Sequence, residues 1–171
     1  AVGNALLYNH RCRRFSRLDG LTMLLNRTQY EKDLERIKPP AVIINMDVDD
    51  FKQINDTSGH AAGDYYLRQI AEVIRTVYGR HGDCYRYGGD EFSLILTKNL
   101  HQMEKLNGMF EAALGQLREQ DPKMPMVSLG YALYEGGIEA LYATIEKADA
   151  MMYRNKKVND RAEIVENAAE F

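Results

Sequence analysis

The sequence predicts an α+β domain of ferredoxin-like βαββαβ order, a central and mostly antiparallel sheet covered by helices on one face, with extra helices at its ends. Three observations carry this. From Ala41 onward, apolar β-branched runs alternate with runs of helical period in the order β, α, β, β, α, β, followed by a closing helix. The middle two strands flank the Gly88–Gly89 pair of RYGGDEF, the strongest hairpin signal in the chain. The length of 171 residues is that of one domain, enough to bury a single apolar core without disulfides or a structural metal.

Each element has its own warrant. Residues 5–16 carry Leu6, Leu7, Phe15 and several arginines with no stop signal, so residues 1–18 are expected to be the end of a linker helix and residues 19–171 the domain. TQYEKDLERI, residues 28–37, is expected to be helical, closed by Lys38 and the prolines 39 and 40, which cannot continue a helix. AVIINMDV, residues 41–48, is apolar and β-branched and reads as a buried strand ending in acids. In residues 63–79, Leu67, Ile70, Ala71, Ile74 and Val77 recur at helical spacing up to Gly79. CYRYGGDEFSLILT is the hairpin, its glycines expected to supply positive φ at the turn. Residues 102–120 are helical before the break at Asp121 and Pro122, 126–134 form a strand, and 138–158 a long final helix.

Bulk properties exclude several function classes. A formal net charge of −3 leaves no general basic field, so nucleic acid is not an expected partner. The two cysteines, Cys12 and Cys84, show no metal-ligand spacing and are expected to be reduced and structural. His60 is expected to be a packing or loop hydrogen-bonding residue rather than a ligand, and histidines 10, 81 and 101 carry no motif. No apolar run approaches membrane-spanning length and no leader pattern is present, so membrane contact is not expected and a cytoplasmic location is. The chain begins at Ala1 rather than Met, which fits one module of a longer protein whose other parts could be membrane-bound.

Acids cluster at two places remote in sequence: Asp47, Asp49 and Asp50 after the first core strand, and Asp90 with Glu91 after the glycine pair. In a split βαβ topology these strands are neighbours, so Asp47 and Asp90 can approach one another. Clustered acids repel and are usually retained where a cation relieves the cost, and magnesium binds through a few carboxylates while keeping positions for water and phosphate oxygens. Taken singly, each acid is equally an ordinary loop-capping residue.

DVDDFKQINDTSGHAAGDYYL followed by RYGGDEF resembles the GGDEF family of diguanylate cyclases, whose D-x-D-x-F-K, N-D, G-H, G-D and G-G-[DE]-E-F blocks are matched in order and spacing. Upstream, LDGLTMLLNR is similar to the family's D-x-L-T-G-L-x-N-R, with Met23 where glycine is usual. Downstream, VSLGYA and ADAMMYRNKK resemble its last strand and last helix, so the resemblance runs from Asp19 to about Lys157. It implies a palm of nucleotidyl-cyclase type that condenses two GTP into cyclic di-GMP with release of two pyrophosphates.

The resemblance also implies roles for individual residues. Asp47, Asp90 and the Val48 carbonyl match metal ligands for two Mg²⁺ per site, with Mn²⁺ able to substitute. Glu91 matches the group that helps deprotonate the 3′-hydroxyl, the plainer reading being an acid that only tunes the metal. Lys52 and Lys156 match contacts to the β- and γ-phosphates, with the backbone N–H groups around Asp50 and Phe51. Gly88 and Gly89 let the nucleotide come close to the chain, and Asn55 with Asp64 match guanine contacts, Asp64 being otherwise a helix cap. Arg86 is placed beside the phosphates or, equally, in a strand-end salt bridge.

Two departures limit the match. The family's product-binding R-x-x-D corresponds to RHGD, Arg80 to Asp83, which sits one residue closer to Arg86 than the pattern, so product inhibition there is not expected. The family's terminal G-R-N becomes VNDR, with Asp160 in the place of an arginine and Arg161 next to it.

The reaction needs each 3′-oxygen in line with the other nucleotide's α-phosphate, so turnover requires a homodimer around a two-fold axis, with an upstream sensor feeding the linker helix. The alternative is a catalytically weak or inactive GGDEF domain that senses GTP or cyclic di-GMP, against which the intact Asp90 and Glu91 weigh. A polymerase-like palm is disfavoured by the lack of a basic channel.

Overall fold

The computed structural model describes residues 17–169, and side chains to residue 159. The expected linker helix at 5–16, Cys12, and the side chains of Asp160 and Arg161 lie outside the described residues. Strands β1 (Leu25–Asn26), β2 (Ala41–Val48), β3 (Gly82–Arg86), β4 (Glu91–Leu96) and β5 (Val127–Tyr134) form one sheet in the order β1-β3-β4-β2-β5. β2 is antiparallel to both neighbours, β3 is antiparallel to β4, and only β1 runs parallel, to β3. The hairpin and the acid-ended strand are therefore adjacent, as the sequence order requires.

The helices are α1 (Arg27–Leu34), α2 (Phe51–Ser58), α3 (His60–Tyr78), α4 (Met103–Gln120) and α5 (Ile138–Ala169). Between β2 and the hairpin the sequence pattern shows one helix, whereas the chain forms two. FKQINDTS carries only Phe51 and Ile54 as apolar anchors, too little periodicity to read as a helix, yet it closes one because Gly59, at φ 83°, breaks it from α3. β1 is likewise too short to leave a strand signal. Asn26 caps α1 by accepting from the Gln29 N–H at 3.0 Å.

The expectation of helices on one face of the sheet does not hold. Val42, Ile44, Met46 and Val48 pack on one face with Leu67, Ile70 and Ile74 of α3 and Phe110 and Leu114 of α4. Ala41 and Ile43 face the other way, against Tyr30 of α1, Leu141 of α5, Tyr85 and Tyr134. A strand apolar on both faces needs cover on both. Each fully buried isoleucine or leucine here contributes about 1.5–3 kcal/mol relative to exposure, so β2 is the anchor of the fold.

One glycine sets how closely the last helix lies. A Cβ at Gly130 would stand 2.1 Å from the Ala148 carbonyl oxygen and 2.2 Å from the Met152 nitrogen. Its absence lets α5 settle on β5, which carries the far part of that helix over the end of β2.

Candidate active site

The sheet ladder places Asp47, next to last in β2, directly opposite Glu91, the first residue of β4. One step on, the Val48 N–H donates to the Asp90 carbonyl at 3.1 Å. Acids far apart in sequence are thus held together by backbone hydrogen bonds. Lys156 reaches them from α5, its ammonium paired with the Asp47 carboxylate. Burial alone would lower the Lys156 pKa, but the hydrogen bond to Asp47 and the charges of Asp47, Asp49 and Asp90 outweigh it and raise the value. Burial, then the charges of Asp47, Asp90 and Asp149, push the Glu91 carboxyl above the ordinary glutamate value, with Arg27 pulling the other way.

The turn between β3 and β4 corrects one expectation. Neither Gly88 nor Gly89 adopts positive φ; the glycines that do, among the described residues, are Gly59, Gly136 and Gly137. A Cβ at Gly88 would stand 2.5 Å from Glu91 Oε2, so a side chain there would make the Glu91 carboxylate turn aside. At Gly89 a Cβ would meet nothing within 4 Å, so the backbone there is open to a ligand. The Tyr87 and Gly88 N–H groups both donate to the Glu91 carbonyl, at 2.9 and 3.2 Å, and close the turn.

Arg86 is found in the strand-end salt bridge. Its Nη1 donates to Asp19 at 3.2 and 3.3 Å, and its Nε and Nη2 donate to the Gly89 carbonyl at 3.2 and 2.7 Å. Asp19 also accepts from the Thr22 backbone and hydroxyl, at 2.8 and 2.7 Å. Sequence reading missed this tie between LDGLT and the signature turn, although both motifs were visible.

The residues expected to choose the base lie on adjacent helices, Asn55 on α2 and Asp64 on α3. Asn55 lies against Gly63, where a Cβ would fall 2.1 Å from Asn55 Oδ1, and Asp64 follows Gly63 on α3. Because α3 begins at His60 with Gly59 at its N-cap, Asp64 sits a turn inside the helix and is not its cap. The sequence shows Gly63 only as part of the G-D block, and its packing against Asn55 was not foreseen.

At the head of α2, Asp50 occupies the left-handed region at φ 52° and makes no side-chain cap, with Phe51 half-buried beside it and Lys52 exposed on the first turn. Asp49 is buried and accepts from Ser128 Oγ at 2.8 and 2.9 Å and from Asn159 Nδ2 at 2.9 Å. Burial pushes its carboxyl up, and those hydrogen bonds with the charge of Lys156 pull it down. A groove of about 860 Å³ opens beside α2, lined by Asp49, Asp50, Gln53, Arg118, Lys123 and Asn159 among others, and neither Asn55 nor Asp64 lines it.

Arg80 and Asp83 are not brought into a pair. Arg80 is exposed after α3, while Asp83, on β3, lies among Asp33, Arg17 and Lys98. Among the described residues no three acidic, histidine or cysteine side chains converge as a ready cage for a metal ion. The donor set at the β2 end, two aspartates and a carbonyl, is all oxygen, and it suits a cation that keeps most of its positions for water and phosphate. Lys156 on Asp47 shows that this end of the sheet accepts positive charge. No described helix is long and apolar enough to cross a membrane.

A family model described as "Diguanylate cyclase, GGDEF domain" matches residues 16–161. Diguanylate cyclase DgcS of Shewanella oneidensis is 33% identical over 147 residues, covering 81% of this chain and 49% of that protein. Diguanylate cyclase DosC of Escherichia coli K12 is 30% identical over 152 residues, covering 82% of this chain and 33% of that protein. The chain thus spans half or less of these relatives' length. The coiled coil and GGDEF domain of DgcB from Caulobacter crescentus, solved in complex with c-di-GMP, superposes with a TM-score of 0.77 at 27% identity, covering 91% of this chain and 88% of that one.

Proposed function

The chain belongs to the GGDEF domain family of diguanylate cyclases, and on that premise we propose that it condenses two GTP into cyclic di-GMP and releases two pyrophosphates. The observation that carries this reading is the register of Asp47 opposite Glu91, with Asp90 bonded to Val48 and Lys156 beside them. Asp47, Asp90 and the Val48 carbonyl would hold Mg²⁺, two ions per site, with Mn²⁺ able to replace it. Bound, the metal offsets charge on the triphosphate and on the leaving pyrophosphate.

The chain's own groups do the rest. The N–H groups around Asp50 and Phe51, with Lys52, receive the β- and γ-phosphates, and Lys156 exchanges Asp47 for phosphate oxygen. Asn55 and Asp64 take guanine, the carboxylate accepting from N1–H and N2–H₂ together, which adenine cannot satisfy. Glu91, with its raised proton affinity, accepts the 3′-hydroxyl proton as the O3′–Pα bond forms and the bond from Pα to the pyrophosphate oxygen breaks. Arg86 holds the Gly89 carbonyl and so fixes the turn beside those phosphates.

Each site holds one nucleotide, so turnover takes a homodimer of facing copies, and residues 1–18 would link it to an upstream sensor in the cytoplasm. Product inhibition through Arg80 and Asp83 is not part of this reading. Incubation with GTP and Mg²⁺, assayed for pyrophosphate and cyclic dinucleotide, tests it against an Asp90→Ala control. Production by the unaltered chain alone is expected; GTP binding without either product would mark a sensor instead.

A further inference from the structure

We infer that Asp49 is a positioning residue for the triphosphate, pinned by Ser128 and Asn159, which sets the head of α2 against Lys156; this rests on the GTP reading above. Asp49 is the link between the last residue of β2 and the left-handed Asp50 that starts α2. Its N–H donates to the Met126 carbonyl at 2.9 Å, and its carboxylate takes Ser128 Oγ of β5 and Asn159 Nδ2 of α5. Asn159 Nδ2 also donates to Ser128 Oγ at 3.0 Å, so the three side chains close a ring.

A buried acid of this kind is a costly way to hold a fold, since apolar residues of the same volume would do as well or better for stability. What it supplies is direction. The backbone conformation at 49–50 decides where the Phe51 and Lys52 amides point, and the other end of the ring lies one turn beyond Lys156 on the same helix. One carboxylate therefore ties together the two parts that would grip the same phosphates, from α2 and from α5. The donor on α5 departs from the family's G-R-N pattern, which has glycine where Asn159 stands.

The test is titration calorimetry of the full chain with GTP, GDP and GMP in Mg²⁺, comparing the unaltered protein with Asp49→Asn and Asn159→Ala. Asn159 is a half-buried helix position, so its truncation tests the tie even where Asp49→Asn does not fold. The expected result is a five- to tenfold loss of GTP affinity, a smaller loss for GDP and none for GMP, with the folded spectrum kept. GTP affinity within twofold of the unaltered chain in a folded variant overturns the inference, as does an equal loss for all three nucleotides. No binding of GTP by the unaltered chain overturns the nucleotide reading itself, a different and separately visible outcome.

Discussion

Asp47 and Glu91 stand directly opposite each other on β2 and β4, two carboxylates in register on neighbouring strands, and Lys156 pairs with only the first. Like charges facing across a ladder destabilise it. The site therefore keeps an unfavourable charge arrangement that the rest of the sheet sustains.

Glu91→Gln is accordingly expected to raise Tm by about 1–2 °C at pH 7 while lowering cyclic dinucleotide formation about 100-fold or more. The sign follows from the raised pKa. Below the ordinary value of 4.5 Glu91 is protonated in both states and costs nothing; above it the unfolded state ionises first, and stability falls until the higher folded value is passed. The Tm gap between variant and parent, read by thermal melts from pH 4 to 8, should thus open as pH increases. A gap that is constant, or of opposite sign, refutes the assignment.

Asp19→Ala removes the acceptor shared by Thr22 and Arg86 and should cost about 1–3 kcal/mol by denaturant unfolding at neutral pH. Burial raises the Asp19 pKa, but the Thr22 hydrogen bonds and Arg86 outweigh it and lower the value below 3.8. Its contribution is therefore present above that value and lost as pH falls through the lower folded one. The difference from the parent should persist at pH 5 and shrink only as pH falls below 3.8. Because Arg86 then holds Gly89 alone, turnover should fall severalfold as well.

Gly63→Ala puts a methyl where Asn55 Oδ1 now lies, 2.1 Å away. Overpacking of this kind costs about 1–3 kcal/mol. It should also turn the Asn55 amide aside, so GTP affinity drops more than tenfold while binding of triphosphate alone is unchanged. Calorimetry with GTP and inorganic tripolyphosphate separates the two; equal losses would mean that Asn55 does not contact the base.

Met23 sits at φ 60°, in the left-handed region that costs a residue with a Cβ about 1–2 kcal/mol. Met23→Gly relieves this but adds freedom to the unfolded chain, worth about 0.4–1 kcal/mol. The net expectation is a gain of about 0.5 kcal/mol with no effect on nucleotide binding, measured by urea unfolding. A loss of stability would show that the exposed Met23 side chain makes contacts that matter more than its backbone.

The final helix depends on close packing. Gly130→Ala would push α5 off β5, because the added Cβ meets backbone atoms of Ala148 and Met152 that cannot swing aside. A loss of at least about 2 kcal/mol in urea unfolding is expected, together with weaker GTP binding as Lys156 retreats from Asp47.

Local sequence pattern was enough for the order of the large elements and for the family to which the chain belongs. Alternation of period in 41–48, 63–79 and 126–134 is a local property, and each run is long enough to state its own conformation. The family blocks around Asp47, Asn55, Asp64 and Asp90 were equally local. Short elements were hidden for the same reason: β1 has two residues and α2 only Phe51 and Ile54 to anchor it, so neighbours rather than propensity decide them. Packing in three dimensions was needed to show that helices cover both faces of the sheet, that Gly88 lies beside the Glu91 carboxylate without a positive φ, and that Arg86 is tied to Asp19. The buried ring of Asp49, Ser128 and Asn159 belongs with them. All are contacts between residues set apart in the chain, whose distances are fixed by packing and strand register, quantities that no single stretch of sequence contains.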